Sequence, residues 1–495
     1  MEKRNQIFLT YFSVAAIVAS LNVIFCTNRV VGTVIVITET IVLLFMALKR
    51  KIHIFISLCV VFISNCMEFS SFVGNDTFYN IKSIRIGGMN IGAWMLVILA
   101  FVCCLKPIKI GKVKIEQDGL YKYGIGLIKM NAVAAIVGLI LIAVNDNNIS
   151  GIRNTGSEFI ACIYSSLLIP ATMLLGVVYV ITYEKEYVDH LYLVLQATLL
   201  ANAIQLIVSF AFKIYGYYGG VYTLLSSTLY FVLPLSLLIV NNERFIFKKT
   251  TIIVSLIGII LSLAFNASGK LVLTVGLSIL FIVFKLLKGK KSIYKVLAIV
   301  FVITSIIFIP IVVNYLLQNS VLFKSKYTQA LSLFQFNEGN WLNNLSESPR
   351  SRVEEFRDVF IEFANKPWLV LTGKGYLGSI VDHTGYFSTL TSNKGLFSDE
   401  EWRNGTYYNL HELVVNILMF GIMGVVYSIS LLRYSLKNIS KNTLLIMGIY
   451  WFFLLYGYSF TLSCYGVLAF YIGLLHIPES SNNQSQGQME TLKSL

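Results

Sequence analysis

The chain has 495 residues, of which 56% are hydrophobic and only 13% charged, and its mean hydropathy is +0.73. A soluble globular chain carries about a quarter charged residues, so this one has too few polar groups to cover its own surface, and lipid must be its main solvent. The net charge of +14 invites a nucleic-acid reading, but the basic residues fall in short clusters between apolar runs, at Lys49–Lys51, Lys106–Lys114, Lys248–Lys249 and Lys288–Lys291. That is the pattern of cytoplasmic loops in a membrane protein, and no nucleic-acid partner is expected.

A membrane span needs roughly 20 apolar residues, with a lower limit near 17. In chain order the candidate spans are Ile7–Cys26, Val30–Leu48, Ile52–Val73, Gly92–Leu105, Ile125–Val144, Phe159–Thr182, Leu191–Phe212 and Val221–Val240. Thr251–Phe265, Leu271–Phe284, Val296–Leu317, Leu410–Leu432, Thr443–Phe460 and Leu462–Ile477 follow. The expected fold is therefore an all-α polytopic membrane protein with about fourteen transmembrane helices. Met1-Glu2-Lys3-Arg4 precedes the first apolar run without an obvious cleavage site, so that run is read as a span rather than a signal peptide. With the N-terminus in the cytoplasm and sides alternating, the clusters at Lys49, Lys106, Lys248, Lys288 and Arg433–Lys441 all fall inside. The C-terminus is then cytoplasmic as well, and the expected location is the inner membrane.

This reading divides the chain into a bundle of spans over 1–316, a large extracytoplasmic loop over 317–409, further spans over 410–477 and a cytoplasmic tail over 478–495 without expected order. Structureless loops beyond about 15 residues are uncommon and usually functional. Inside the loop, Phe356, Val359, Phe360 and Phe363 recur at helical spacing, predicting an amphipathic helix that lies on the membrane or caps the bundle. The 7 cysteines lie in or beside apolar runs and show neither a disulfide framework nor zinc spacing. No metal site or cofactor is expected.

The loop reads Ser351-Arg352, then Phe356, then Lys366-Pro367-Trp368, then Gly373-Lys374-Gly375-Tyr376-Leu377-Gly378. The next span opens on Asn409-Leu410-His411-Glu412 and continues to Gly421-Ile422-Met423-Gly424. In this order the sequence resembles the O-antigen polymerase and O-antigen ligase superfamily. In that family an outer-loop Arg, an aromatic four residues on, a Pro, a Gly-x-Gly and a His-Asn at the start of the next helix recur. An earlier Ser-Arg-Gly turn of the family corresponds here to Asn266-Ala267-Ser268-Gly269-Lys270, with Lys270 where the family usually has Arg. The family's His-Asn is His411-Glu412 here.

The resemblance implies a GT-C-like bundle and a metal-independent glycosyltransferase acting on polyprenyl-diphosphate-linked oligosaccharides, such as undecaprenyl diphosphate carriers. It would build an O-antigen, capsule or exopolysaccharide beside a flippase and a chain-length regulator. The chemistry of the residues agrees. The diphosphate leaving group must be neutralised where charge develops. Arg grips phosphate with a planar fork and Lys acts as a point charge, which makes Arg352, Lys270 and Arg350 the diphosphate candidates. His411, with Arg352, is the catalytic candidate, because an acceptor hydroxyl needs a base near neutral pH. Glu39, inside the second span, and Glu412 are candidate cavity-lining carboxylates.

Ordinary readings stand beside these. Arg352 could pair with Glu354, Glu355 or Asp358 along a solvated helix, as Arg357 is expected to do. Lys270 could be a plain outer-loop charge, and His411 a helix-terminal interfacial residue. Gly373-Lys374-Gly375 has the wrong spacing for a phosphate-binding P-loop and reads as a turn. Gln196, Asn202 and Gln205 read as interhelical hydrogen-bonding groups or as the lining of a substrate groove. Polymerisation of repeat units is the preferred activity. Ligation of finished polymer to an acceptor is the sister alternative, and flipping of lipid-linked oligosaccharides is the alternative from another class.

Overall fold

The computed structural model describes in the main residues 2–65, 79–95, 119–144, 185–212, 246–265, 292–334, 341–390 and 397–438, with short strands at 216–218 and 221–223 and a few isolated positions such as Phe159. Its long helices are α1 (Glu2–Ile24), α2 (Arg29–Leu48), α3 (Ile52–Ser64), α4 (Gly119–Ala143), α5 (Lys185–Ala211), α6 (Lys248–Phe265), α7 (Ser292–Asn319), α8 (Val321–Ser332), α9 (Glu347–Asn365) and α10 (Glu412–Asn438). Three two-stranded antiparallel ribbons accompany them: β1 (Arg85–Ile86) with β2 (Met89–Asn90), β3 (Gly216–Tyr218) with β4 (Val221–Thr223), and β5 (Ile380–Val381) with β6 (Thr406–Tyr407).

The chain is mostly helical, and among the described residues five helices are long and apolar enough to cross a membrane: α1, α2, Tyr121–Ala143 of α4, Asp189–Ser209 of α5 and Val302–Asn319 of α7. Shorter apolar stretches occupy His53–Ser64 and Leu413–Tyr427. These are the marks of a helical membrane protein. The expected spans at Phe159–Thr182, Leu271–Phe284, Thr443–Phe460 and Leu462–Ile477 lie wholly or almost wholly outside the described residues, as do most of Gly92–Leu105 and the tail. One expectation is corrected at its start. Val221 does not open a helix but sits in β4, paired with Tyr218 across Gly219-Gly220. A two-residue Gly-Gly connection between aromatic and β-branched residues favours a hairpin over a helix.

The chain forms two compact units, the first comprising residues 1–38, 65–80 and 193–353, the second 39–64, 81–192 and 354–495. In the first unit the Phe8 ring of α1 meets Phe247, with centroids 5.2 Å apart, and the Tyr79 N–H donates to the Cys26 carbonyl at 2.7 Å. Along α5 this unit buries Gln196, Thr198, Asn202 and Gln205. Gln196 Nε2 donates to Thr251 Oγ1 of α6 at 2.6 Å and to the Ile246 carbonyl at 2.7 Å. Thr198 and Asn202 donate back to carbonyls one turn earlier in α5. Apolar surroundings demand such partners for a buried amide.

The second unit packs residues from 366–390 and 397–408 against α4, α9 and α10. Its core joins Val359 and Phe363 of α9 to Leu141, Ile380, Val414 and Leu418. Phe387, Phe397 and Tyr407 form an aromatic trio in it, with centroids 4.6–5.1 Å apart. Residues 354–390 and 399–408 are thus folded rather than a bare connection.

Candidate functional site

Helix α9 covers the segment where apolar spacing places a helix, but its buried face is not purely apolar. Val359 and Phe363 are buried, whereas Phe360 is exposed. Beside the two apolar residues, Glu355, Asp358 and Glu362 are buried as well. Spacings of three, four and seven residues put all five on one side of a helix. A carboxylate withdrawn from water needs partners, and each of the three has them from a distant part of the chain.

Glu355, fully buried, holds His411 twice. Its Oε2 accepts the His411 backbone N–H at 2.9 Å, and its Oε1 lies 2.7 Å from His411 Nδ1. The His411 side chain is only 9% exposed. His411 sits immediately before α10 and not inside its first turn, since its carbonyl accepts the first helical N–H, from Val415, at 2.9 Å. In the tautomer whose Nδ1–H is donated to Glu355, Nε2 is the acceptor nitrogen of the ring.

Asp358 Oδ1 accepts the Thr384 N–H at 3.0 Å, and Oδ2 lies 3.4 Å from Thr384 Oγ1. Burial raises the Asp358 carboxyl to about 6; the Thr384 hydrogen bonds and the neighbouring His383 oppose the rise, and the Asp382 charge adds to it. Glu362 takes the ammonium of Lys374 at 3.0 Å and the His383 Nε2 at 3.3 Å. The Lys374 ammonium, itself buried, also donates to the Ser379 carbonyl at 2.7 Å. Removal of either partner from such a pair leaves an uncompensated buried charge.

Lys374 belongs to the Gly373-Lys374-Gly375 motif, which is no exposed turn. Residues 373–377 are all buried. The segment threads into a break in α10, where Gly421 has φ +58 and ψ −146. Two carbonyls set loose by the break are taken by the motif: Lys374 N–H donates to Leu418 at 2.6 Å and Gly375 N–H to Met419 at 3.1 Å. On the opposite side Tyr376 N–H donates to the Ala134 carbonyl of α4 at 3.0 Å, and its hydroxyl to Asn131 Oδ1 at 2.8 Å. Gly375 has φ +68, and a Cβ there would collide with the Ala134 carbonyl and the Gly138 amide. At Gly421 φ is also positive, and a Cβ would stand 2.5 Å from the Val370 carbonyl. Only glycine fits both.

Of the candidates read from sequence, His411 is drawn into this cluster. Arg350 and Arg352 are half-buried near the start of α9, with Arg352 three residues before Glu355 on the same helix. Arg357 takes the ordinary reading and donates to Glu354 at 2.7 Å. Glu39 is buried within α2. Glu412 is the first residue of α10. Lys270 lies outside the described residues. Sequence reasoning missed Glu355 as the partner of His411; it took Asp358 only as a partner for Arg352 and Lys374 only as part of a turn, and it missed Glu362. The spacing of the three carboxylates alongside Val359 and Phe363 was the available signal. Among the described residues no group of three or more His, Cys, Asp or Glu is arranged to hold a metal ion.

No family model, no curated protein and no solved structure matches the chain.

Proposed function

We propose that the chain is a membrane glycosyltransferase that polymerises polyprenyl-diphosphate-linked oligosaccharide repeat units into a surface polysaccharide on the outer face of the cytoplasmic membrane. The observation that carries the reading is the Glu355–His411 pair: a buried carboxylate fixing both the ring and the backbone of a histidine at a helix start. With Nδ1–H given to Glu355, Nε2 takes the proton of the acceptor hydroxyl as its oxygen bonds to the anomeric carbon. The bond from that carbon to the diphosphate breaks, and the leaving group departs with the electron pair. Arg352, one helical turn before Glu355, with Arg350 and Lys270, neutralises the charge that develops on the diphosphate. Ligation of a finished polymer would use the same chemistry on another acceptor.

The test is chain extension from purified lipid-linked repeat units by the full chain in vesicles. The wild type yields a polymer ladder. His411→Ala and Arg352→Ala, inserted at wild-type levels, leave single lipid-linked repeats. Normal ladders from both variants remove the proposed roles. Transfer only of pre-formed polymer to a second acceptor turns the reading toward ligation.

A further inference from the structure

We infer that residues 367–376 form a re-entrant element whose outer face, Trp368, Val370 and Leu371, is immersed among the acyl chains of the bilayer. The inference is independent of the catalytic reading. At 1.5 Å per residue, the Gly421 break lies about 15 Å along α10 from His411, half the roughly 30 Å hydrocarbon thickness. The helical turn Leu369–Thr372 packs on α10 at that level, with the Val370 carbonyl against Gly421 and Gly373 against Met419.

Irregular backbone at membrane depth survives only where protein satisfies its polar groups. Here the N–H groups of Leu369, Val370, Leu371, Gly373, Lys374, Gly375 and Tyr376 donate in turn to the carbonyls of Lys366, Pro367, Trp368, Leu369, Leu418, Met419 and Ala134, while the Thr372 hydroxyl bonds the Gly373 carbonyl. The Thr372 N–H alone is left out of that series. The segment's one charge, on Lys374, faces inward and is paired with Glu362, as intramembrane charges are. The side chains that face outward are apolar, with Trp368 49% and Leu371 62% exposed. On α10, just past the break, Ile422, Met423 and Val426 are exposed as well. A surface that keeps its polar groups inward and its apolar ones outward fits lipid chains, not water or a glycan.

The test compares the tryptophan emission of the full chain and of Trp368→Phe in vesicles of ordinary and of mid-chain brominated phosphatidylcholine. The difference signal reports Trp368. It is expected to lose more than half its intensity in brominated lipid and to be unaffected by aqueous acrylamide. Quenching by acrylamide, or no loss in brominated lipid, overturns the inference. A second comparison does not depend on fluorescence: Leu371→Arg should lower thermal stability in vesicles far more than Leu371→Phe. Equally small effects would mean that Leu371 faces water.

Discussion

Helices α5 and α9 both bury polar side chains, and they do so in opposite ways. In α5 the buried groups are neutral amides and hydroxyls, and their partners lie one turn away or, as for Gln196 and Thr251, on α6. In α9 the buried groups are carboxylates, and their partners come from 56 residues on for His411 and 26 for Thr384. Neutral groups in an apolar setting also need partners, but each satisfied bond is worth little net, so they stitch helices together. Charges withdrawn from water are tolerated only when a specific partner is fixed against them. The contrast separates a helix that is merely held from one that organises chemistry.

The sharpest way to break that contrast is Glu355→Gln. The two His411 groups lie on different carboxylate oxygens, and an amide replaces one of those oxygens with an NH2 donor, so in the same pose one of the two contacts is lost. The initial rate of chain extension should fall about 10²–10⁴-fold with little change in expression. An unchanged rate would reduce Glu355 to a structural prop. Next comes Lys374→Met, which strands the Glu362 charge and should cost about 3–5 kcal/mol of stability. The double variant Lys374→Met with Glu362→Leu should recover most of that loss in thermal melts, and no recovery would mean that the pair itself is not the cause.

Asp358 sharpens the comparison through pH. Its folded-state value near 6 stands above the ordinary 3.8, so the folded chain binds more protons than the unfolded chain between those values. Stability from this group therefore falls as pH rises from about 4 to about 6, and the full penalty persists above. Asp358→Asn does not titrate, so its melting temperature should match the wild type near pH 4 and exceed it above pH 6. A constant gap across the range would contradict this. The smallest effect belongs to α5: Gln196→Leu should cost only about 0.6 kcal/mol, the usual worth of an interhelical hydrogen bond in a membrane. A loss of several kcal/mol there would erase the distinction between the two helices.

What could be read from sequence follows the same division. Apolar runs located α1, α2, α4, α5 and α7, because burial in lipid acts on local composition. The helix around Phe356–Phe363 was legible from its spacing, and so was the Arg357–Glu354 pair, since both depend on residues within one or two turns. His411 could be singled out by its type and its place before an apolar run. Its bond to Glu355 could not, because it depends on how 56 residues of intervening chain fold back. The Gly373-Lys374-Gly375 wedge was opaque for a related reason: glycines flanking a lysine look like a solvent turn until the broken helix that receives them is known. The apolar face of α9 was only half legible, because Phe360 is exposed while the carboxylates beside it go inward.

The junction at Gly421 also constrains how the protein is made. The wedge leaves the ribosome after α4 and before α10, yet it must donate to carbonyls on both. Until the later helix has entered the bilayer, the Lys374 and Gly375 amides lack their acceptors, and the segment has to wait at the aqueous surface. Its docking is therefore a late event of biogenesis, after translation has passed residue 421, and chains ending before that residue should remain open at this point and be exposed to quality-control proteases.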